Sequence, residues 1–184
     1  PLCGKDGATY TFGRQKGATP EIQNDLEAGV CNYRDIIKEQ FDLDMDNIPG
    51  SGAAGGLGTA LMVFLNGTLK SGIETVLDLV DFDEHLKDVD IVVTGEGATD
   101  WQSVFGKVMQ GVGVHCQKHH IPAVAIVGSM GSGAEDIFDY GIESIITTVN
   151  NIMPLSDALN HAEELYLGAA RRMFRLLKAG MQMR

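Results

Sequence analysis

The chain has 184 residues, 44% of them hydrophobic and 21% charged, enough for one domain or two small ones and for a buried core, and not the composition of a disordered tract. Its formal net charge is −11 and its pI is near 4.7, which argues against a general binder of nucleic acid or anionic membranes, since either needs a basic face. Cys3, Cys31 and Cys116 form no C-x-x-C pair, and no apolar run approaches the ~18–20 residues of a membrane span. The expectation is a soluble cytoplasmic protein with reduced thiols and with neither nucleic acid nor membrane as partner.

Ala8–Phe12 alternates and predicts a short strand. Thr19-Pro20-Glu21 is a helix start, with Thr as N-cap and Pro at the first position. Ile22, Leu26, Val30, Tyr33, Ile37 and Phe41 then recur at steps of three or four, giving that helix one apolar face. Asp42 to Asp46 is an acidic link. The run Pro49-Gly50-Ser51-Gly52-Ala53-Ala54-Gly55-Gly56-Leu57-Gly58 opens onto a helix reaching about Leu65. Ser71-Gly72-Ile73-Glu74 fits a capping box, and Asp81 to Asp88 reads as a polar turn and short helix.

The pattern then changes. Val89–Val93 is a buried strand candidate ending in the loop Thr94-Gly95-Glu96-Gly97, and Ser103 to His119 reads as a helix. Pro122–Val127 is a second strand, ending at Gly128-Ser129-Met130-Gly131, followed by a short helix from Ala134 to Tyr140. Ser144–Val149 is a third strand, and Ser156 caps a long last helix through about Lys178. Apolar strands alternating with helices predict parallel βαβ units covered on both faces. The reading is α/β: a three-layer αβα, Rossmann-like sheet portion over 89–184, plus an accessory glycine-rich α/β lobe over 1–88, together part of a two-domain fold. Three strands are few for such a sheet, so its remaining strands are expected outside this chain.

In open α/β sheets, ligands bind beyond the carboxyl ends of the strands. The segment 94–100 puts Glu96 and Asp100 there, beside Gly95 and Gly97, with Lys107 beyond. A carboxylate binds Mg²⁺ or orients a hydroxyl, and a lysine balances phosphate charge. Asp100 equally suits a plain N-cap. The glycine run can present backbone N–H groups to a phosphate or carboxylate, or it is a tight turn with close helix packing. Gly128–Gly133 offers the same choice. Lys5 with Arg14 and Lys16 makes a local basic cluster in an acidic protein, suited to an anion or simply solvated. His115 and His119 stand four apart without H-E-x-x-H, and a helix C-terminus attracts histidine without any metal.

Four segments in order carry a resemblance: Asp6-Gly7-Ala8-Thr9 leading to Phe12-Gly13-Arg14-Gln15-Lys16-Gly17-Ala18-Thr19, then Pro49 to Gly58, then Thr94-Gly95-Glu96-Gly97 with Asp100, then Gly106-Lys107. Together they resemble the glycerate kinases of the bacterial type, the family that includes glycerate 2-kinases, from Pro1 into the last helix. The resemblance implies ATP-dependent transfer of phosphate to a hydroxyl of D-glycerate with Mg²⁺, in the cleft of a two-lobed α/β fold. It also implies that this chain corresponds to about the C-terminal half of such a kinase.

Under that resemblance Asp100, Glu96 and Lys107 are the catalytic candidates. Lys16, Gly50, Ser51, Gly52, Gly55, Gly56, Gly95 and Gly97 are the candidates for holding substrate and phosphate. No protein ligand set for the metal is assigned. Ala98 departs from the family's pattern, which often has Arg or another polar residue there. One alternative is a non-catalytic α/β module that binds a small anionic metabolite; a second is a stable fragment whose remaining property is self-association into a homo-oligomer.

Overall fold

The computed structural model describes residues 1–104 and 107–183, so Gly106 of the fourth segment lies outside the described residues. The chain divides into two units, Pro1–Lys70 and Ser71–Arg184.

The first unit is helical among its described residues, which corrects the expected α/β lobe. Ala8–Phe12 is a short helix, α1, and not a strand. The reason is local: Thr11 N–H reaches Gly7 O and Gly13 N–H reaches Thr9 O, so the segment satisfies its own backbone without a partner strand. Helix α2 runs Pro20–Phe41, with the Thr19 hydroxyl accepting from Ile22 N–H at 3.3 Å, as the start signal predicts. A 3-10 turn at Met45–Asn47 breaks the acidic link and drives Met45 into the core. Leu2, Cys3, Ile37 and Met45 form that core.

The glycine run behaves unlike a simple helix entry. Within α3 (Ala53–Leu65), Ala54, Gly55 and Gly56 take φ of +51°, +70° and +99°, so the chain winds left-handed for three residues before the regular helix. Only glycine adopts φ near +99° cheaply. The turn is closed internally: Ala53 N–H donates to Gly50 O, and the N–H groups of Gly55 and Gly56 both donate to Gly52 O.

The second unit holds a parallel sheet in the order β1-β2-β3, formed by Val92–Thr99, Ala123–Met130 and Ile142–Thr147. Strand β2 shows why its sequence is continuously apolar. Ala123, Ala125 and Val127 face a core shared with Leu77, Leu86, Met109, Val112 and Cys116, whereas Val124 and Ile126 face Ala169 and Met173. Both faces are covered, so the period-two alternation of a half-exposed strand disappears. The same contacts place 71–88 with the sheet. The unit boundary therefore falls between Lys70 and Ser71, not between 88 and 89.

Several boundaries differ from the sequence expectation. Strands β1 and β2 continue through Thr99 and Met130, paired to the last residue, so Gly95, Glu96, Gly97 and Gly128 are strand residues and not loop. Strand β3 starts two residues earlier than expected, at Ile142. The expected helix from Ser103 is a 3-10 turn at Trp101–Val104, with α6 at Val108–Lys118. Helix α4 (Gly72–Leu79) begins on the Ser71 cap, and α5 (Phe82–His85) follows. The long last helix is two, α7 (Leu155–Asn160) and α8 (Ala162–Gly180), interrupted at His161.

Candidate active site

In the second unit the site is built at the carboxyl end of β1. Gly95 lets β1 approach β2 closely: a Cβ on Gly95 would stand 2.1 Å from Ile126 O. The next residue, Glu96, lines a cavity of about 590 Å³. The cavity is mostly apolar, lined by Val93 and Ile126 of the sheet and by Leu155, Leu159 and Tyr166 on α7 and α8, with Thr94, Ser129, Thr148 and the glycine backbone of β1 and β2 as its polar part. Arg172 holds α8 to β3 by donating to Thr147 O at 2.9 Å.

Glu96 is not a loose side chain. The Ser103 hydroxyl donates to Glu96 Oε1 at 2.5 Å and itself accepts from Thr99 Oγ1 at 3.0 Å and from the Asp100 N–H at 3.2 Å. Ser103 and Thr99 are fully buried. A buried hydroxyl with one donated and two accepted bonds has a fixed orientation, and it fixes the carboxylate in turn. Sequence reasoning missed Ser103 and Thr99. The available signal was two small hydroxyl residues four apart, straddling the acidic turn.

Asp100 follows β1 directly, and its backbone is locked by Ser103 on both sides: its N–H donates to Ser103 Oγ and its C=O accepts from Ser103 N–H. The segment after β2 braces this turn, with Gly131 N–H donating to Thr99 O at 2.7 Å and Trp101 N–H to Ser132 O at 3.0 Å. Ala134 N–H and Asp136 N–H are taken by Gly131 O and Gly133 O, and Gly128–Gly133 braces the turn after β1. Lys107 is exposed at the N-cap of α6 and does not line the cavity.

The structure therefore sets Gly95, Glu96 and Gly97 along the edge of the cavity, while register with Val127 turns the Glu96 side chain to the α6 face, where Ser103 joins it to the Asp100 turn. In the first unit, Lys16 is exposed in the 3-10 turn Arg14–Lys16. Gly50 (φ +84°) and Gly52 accept the hydrogen bonds that close the glycine turn, and Gly55 and Gly56 spend their N–H groups on it. Ser51 is fully buried; its backbone O accepts from both the N–H and the hydroxyl of Thr59, while among the described residues its own Oγ has no hydrogen-bond partner.

A braced carboxylate at the C-terminal end of a parallel sheet is suited to orienting the hydroxyl of a small substrate. Comparison with known proteins gives that arrangement its lineage. The profile of the glycerate kinase family matches residues 1–178, and the chain belongs to that family. It is 40% identical over 173 residues to a glycerate kinase of Halalkalibacterium halodurans, covering 94% of this chain and 46% of that protein. Over 182 residues it is 38% identical to the glycerate 2-kinase of Escherichia coli, covering 99% of this chain and 48% of that one. A crystal structure of a Salmonella typhimurium LT2 protein assigned to glycerate kinase 2 superposes with a TM-score of 0.64 at 38% identity, covering all of this chain and 47% of that chain. The chain thus spans about half the length of the relatives it matches. No helix among the described residues is long and apolar enough to cross a membrane.

Proposed function

We propose that this chain carries part of the site of an ATP-dependent glycerate kinase, with D-glycerate as phosphoryl acceptor. The observation that supports it best is the Ser103-braced Glu96 at the carboxyl end of β1, in a chain of this family. Phosphoryl transfer asks for positioning and charge compensation more than for covalent chemistry. Glu96 accepts a hydrogen bond from the glycerate hydroxyl and aims its oxygen. Ser103 and Thr99 keep the carboxylate from turning away.

The donor set also fits a hard divalent cation. Glu96 and Asp100 offer oxygen ligands at the end of one strand, the type that Mg²⁺ takes together with phosphates. Bound ATP with Mg²⁺ supplies the transferable phosphoryl group and offsets its charge. Lys107 adds a cation near the start of α6. In the first unit, exposed Lys16 is a candidate for holding an anionic group. The glycine turn contributes shape there more than donors, because Gly55 and Gly56 have spent theirs.

The test is a coupled ATP-consumption assay with D-glycerate and Mg²⁺, on this chain and on a version extended to the length of its relatives. ADP release that requires D-glycerate, in either version, is the expected result, and ³¹P NMR of the product then separates 2- from 3-phosphoglycerate. Saturable binding of D-glycerate or a phosphorylated acid with no turnover in the extended version would overturn the kinase reading in favour of a binding module.

A further inference from the structure

The first unit contains a second chemical cluster that the kinase reading does not use. Glu27 and Cys31 stand four residues apart on one face of α2, and the N-terminal segment brings Cys3 against them. One ligand atom from each of the three residues lies within 4.8 Å of the others. Cys3 is buried, and Glu27 and Cys31 are half-buried.

The cluster is held from several directions. Glu27 Oε1 accepts from Gly4 N–H at 2.6 Å and from the Cys31 thiol at 3.5 Å. The Cys3 N–H donates to Asp46 Oδ1 at 3.1 Å, and Arg34 pairs with the other oxygen of Asp46 at 2.9 Å. Glu27 Oε2 is buried with no hydrogen-bond partner among the described residues. A buried carboxylate oxygen left unsatisfied is costly, and a ligand is one way such an atom is satisfied.

We propose that Cys3, Glu27 and Cys31 form a binding site for a thiophilic divalent metal ion, with Zn²⁺ as the best match. Two thiolates and a carboxylate are a borderline-soft set, which suits Zn²⁺ and disfavours Mg²⁺ or Ca²⁺. With Zn–S bonds of about 2.3 Å a tetrahedral site needs its sulfurs about 3.8 Å apart, so the present spacing closes with small side-chain rotations. The i, i+4 pair on α2 supplies two ligands from a rigid element, and Cys3 supplies the third. The fourth position is left to water. Each thiol gives its proton to solvent as its S–metal bond forms. Three anionic ligands around a +2 ion leave one net negative charge, and Arg34 lies close enough to act on Cys3. By tying Cys3 to α2, the ion would fasten the start of the chain to its core.

Titration of the reduced whole chain with Co²⁺ tests this by optical absorption. The expected result is a thiolate-to-cobalt charge-transfer band that saturates at one equivalent and is displaced by Zn²⁺. Cys3→Ser and Cys31→Ser should each lower the apparent affinity by more than about tenfold, with Glu27→Gln lowering it less and Cys116→Ala leaving it unchanged. Far-UV circular dichroism checks that the variants fold. No charge-transfer band in the wild-type chain overturns the proposal without recourse to any variant. So does a band that survives both serine substitutions, or one that only Cys116→Ala removes.

Discussion

Ser103 donates its hydroxyl hydrogen to Glu96 Oε1 from a position seven residues further along the chain, and its own oxygen takes the Thr99 hydroxyl and the Asp100 N–H. Removing that hydroxyl strands three groups at once. Ser103→Ala is expected to destabilise the second unit by about 1–3 kcal/mol, because the buried Thr99 hydroxyl and the carboxylate both lose a partner. Chemical denaturation followed by circular dichroism measures it. In the extended enzyme the same change should lower kcat more than it raises KM, since it frees the carboxylate without removing it. An unaltered kcat would detach Ser103 from the chemistry.

Glu96→Gln separates brace from function. The amide carbonyl still accepts from Ser103, so the fold should hold, with a melting temperature close to wild type. A positioned carboxylate contributes on the order of 10²–10⁴ to such a reaction, and D-glycerate-dependent turnover should fall by about that factor. Retention of more than a tenth of the activity would move the role to Asp100.

The left-handed turn at the head of α3 makes opposite demands on neighbouring residues. Ala54 has φ of +51° and Gly56 has +99°. Gly56→Ala is expected to destabilise the first unit by about 1–2 kcal/mol, both from the backbone and because its new methyl would meet Leu2 Cδ1 at 3.1 Å. Ala54→Gly relieves the same kind of strain, less the entropy that glycine adds to the unfolded chain, a net gain of up to about 1 kcal/mol. Opposite signs in paired thermal melts are the expected outcome; equal signs would contradict the φ assignments.

His115 bridges three helices, its Nδ1 against Asp83 at 2.5 Å and its Nε2 against Glu74 at 3.0 Å, while Lys118 also pairs with Asp83 at 2.9 Å. Burial works against charging His115, but the hydrogen bonds to Asp83 and Glu74 outweigh it and raise its pKa. Lys118 first, then His115 and His119, hold Asp83 well below the usual carboxylate range. The signs follow from linkage. The His115 contribution is complete below the unfolded value near 6.5 and fades as pH rises through its raised native value. The Asp83 contribution is complete above the unfolded value near 3.8 and fades as pH falls towards its depressed one. His115→Gln should therefore destabilise most between about pH 4 and pH 6.5, and progressively less towards pH 9. A flat profile of the difference across that range would show that the histidine never charges.

Much of this was legible in the sequence where a local rule and the tertiary fold agree. Thr19 and Ser71 cap the helices their spacing announces, and the apolar run of β2 sits where its composition requires. Ala8–Phe12 misled because alternation over five residues fits a strand or a helical turn equally, and the first unit offers no sheet to decide it. Glu96 was found by residue type, but the glycines around it suggested a loop. Gly95 instead serves close strand approach, which no local pattern reveals. Ser103 and Thr99 escaped because their importance lies in a three-way contact. The Cys3–Glu27–Cys31 cluster escaped because its third member comes from 24 residues away in sequence.

Gly95 has a consequence for how sequences of this family are compared. Its missing side chain is demanded by Ile126 O on the adjacent strand. A lineage that lost the enzyme's chemistry but kept its sheet would still be held to glycine at this position. Glycine at 95 is a signature of architecture; under the proposed function, the acid beside it, with the serine that steadies it, is the pair whose drift would mark a retired active site.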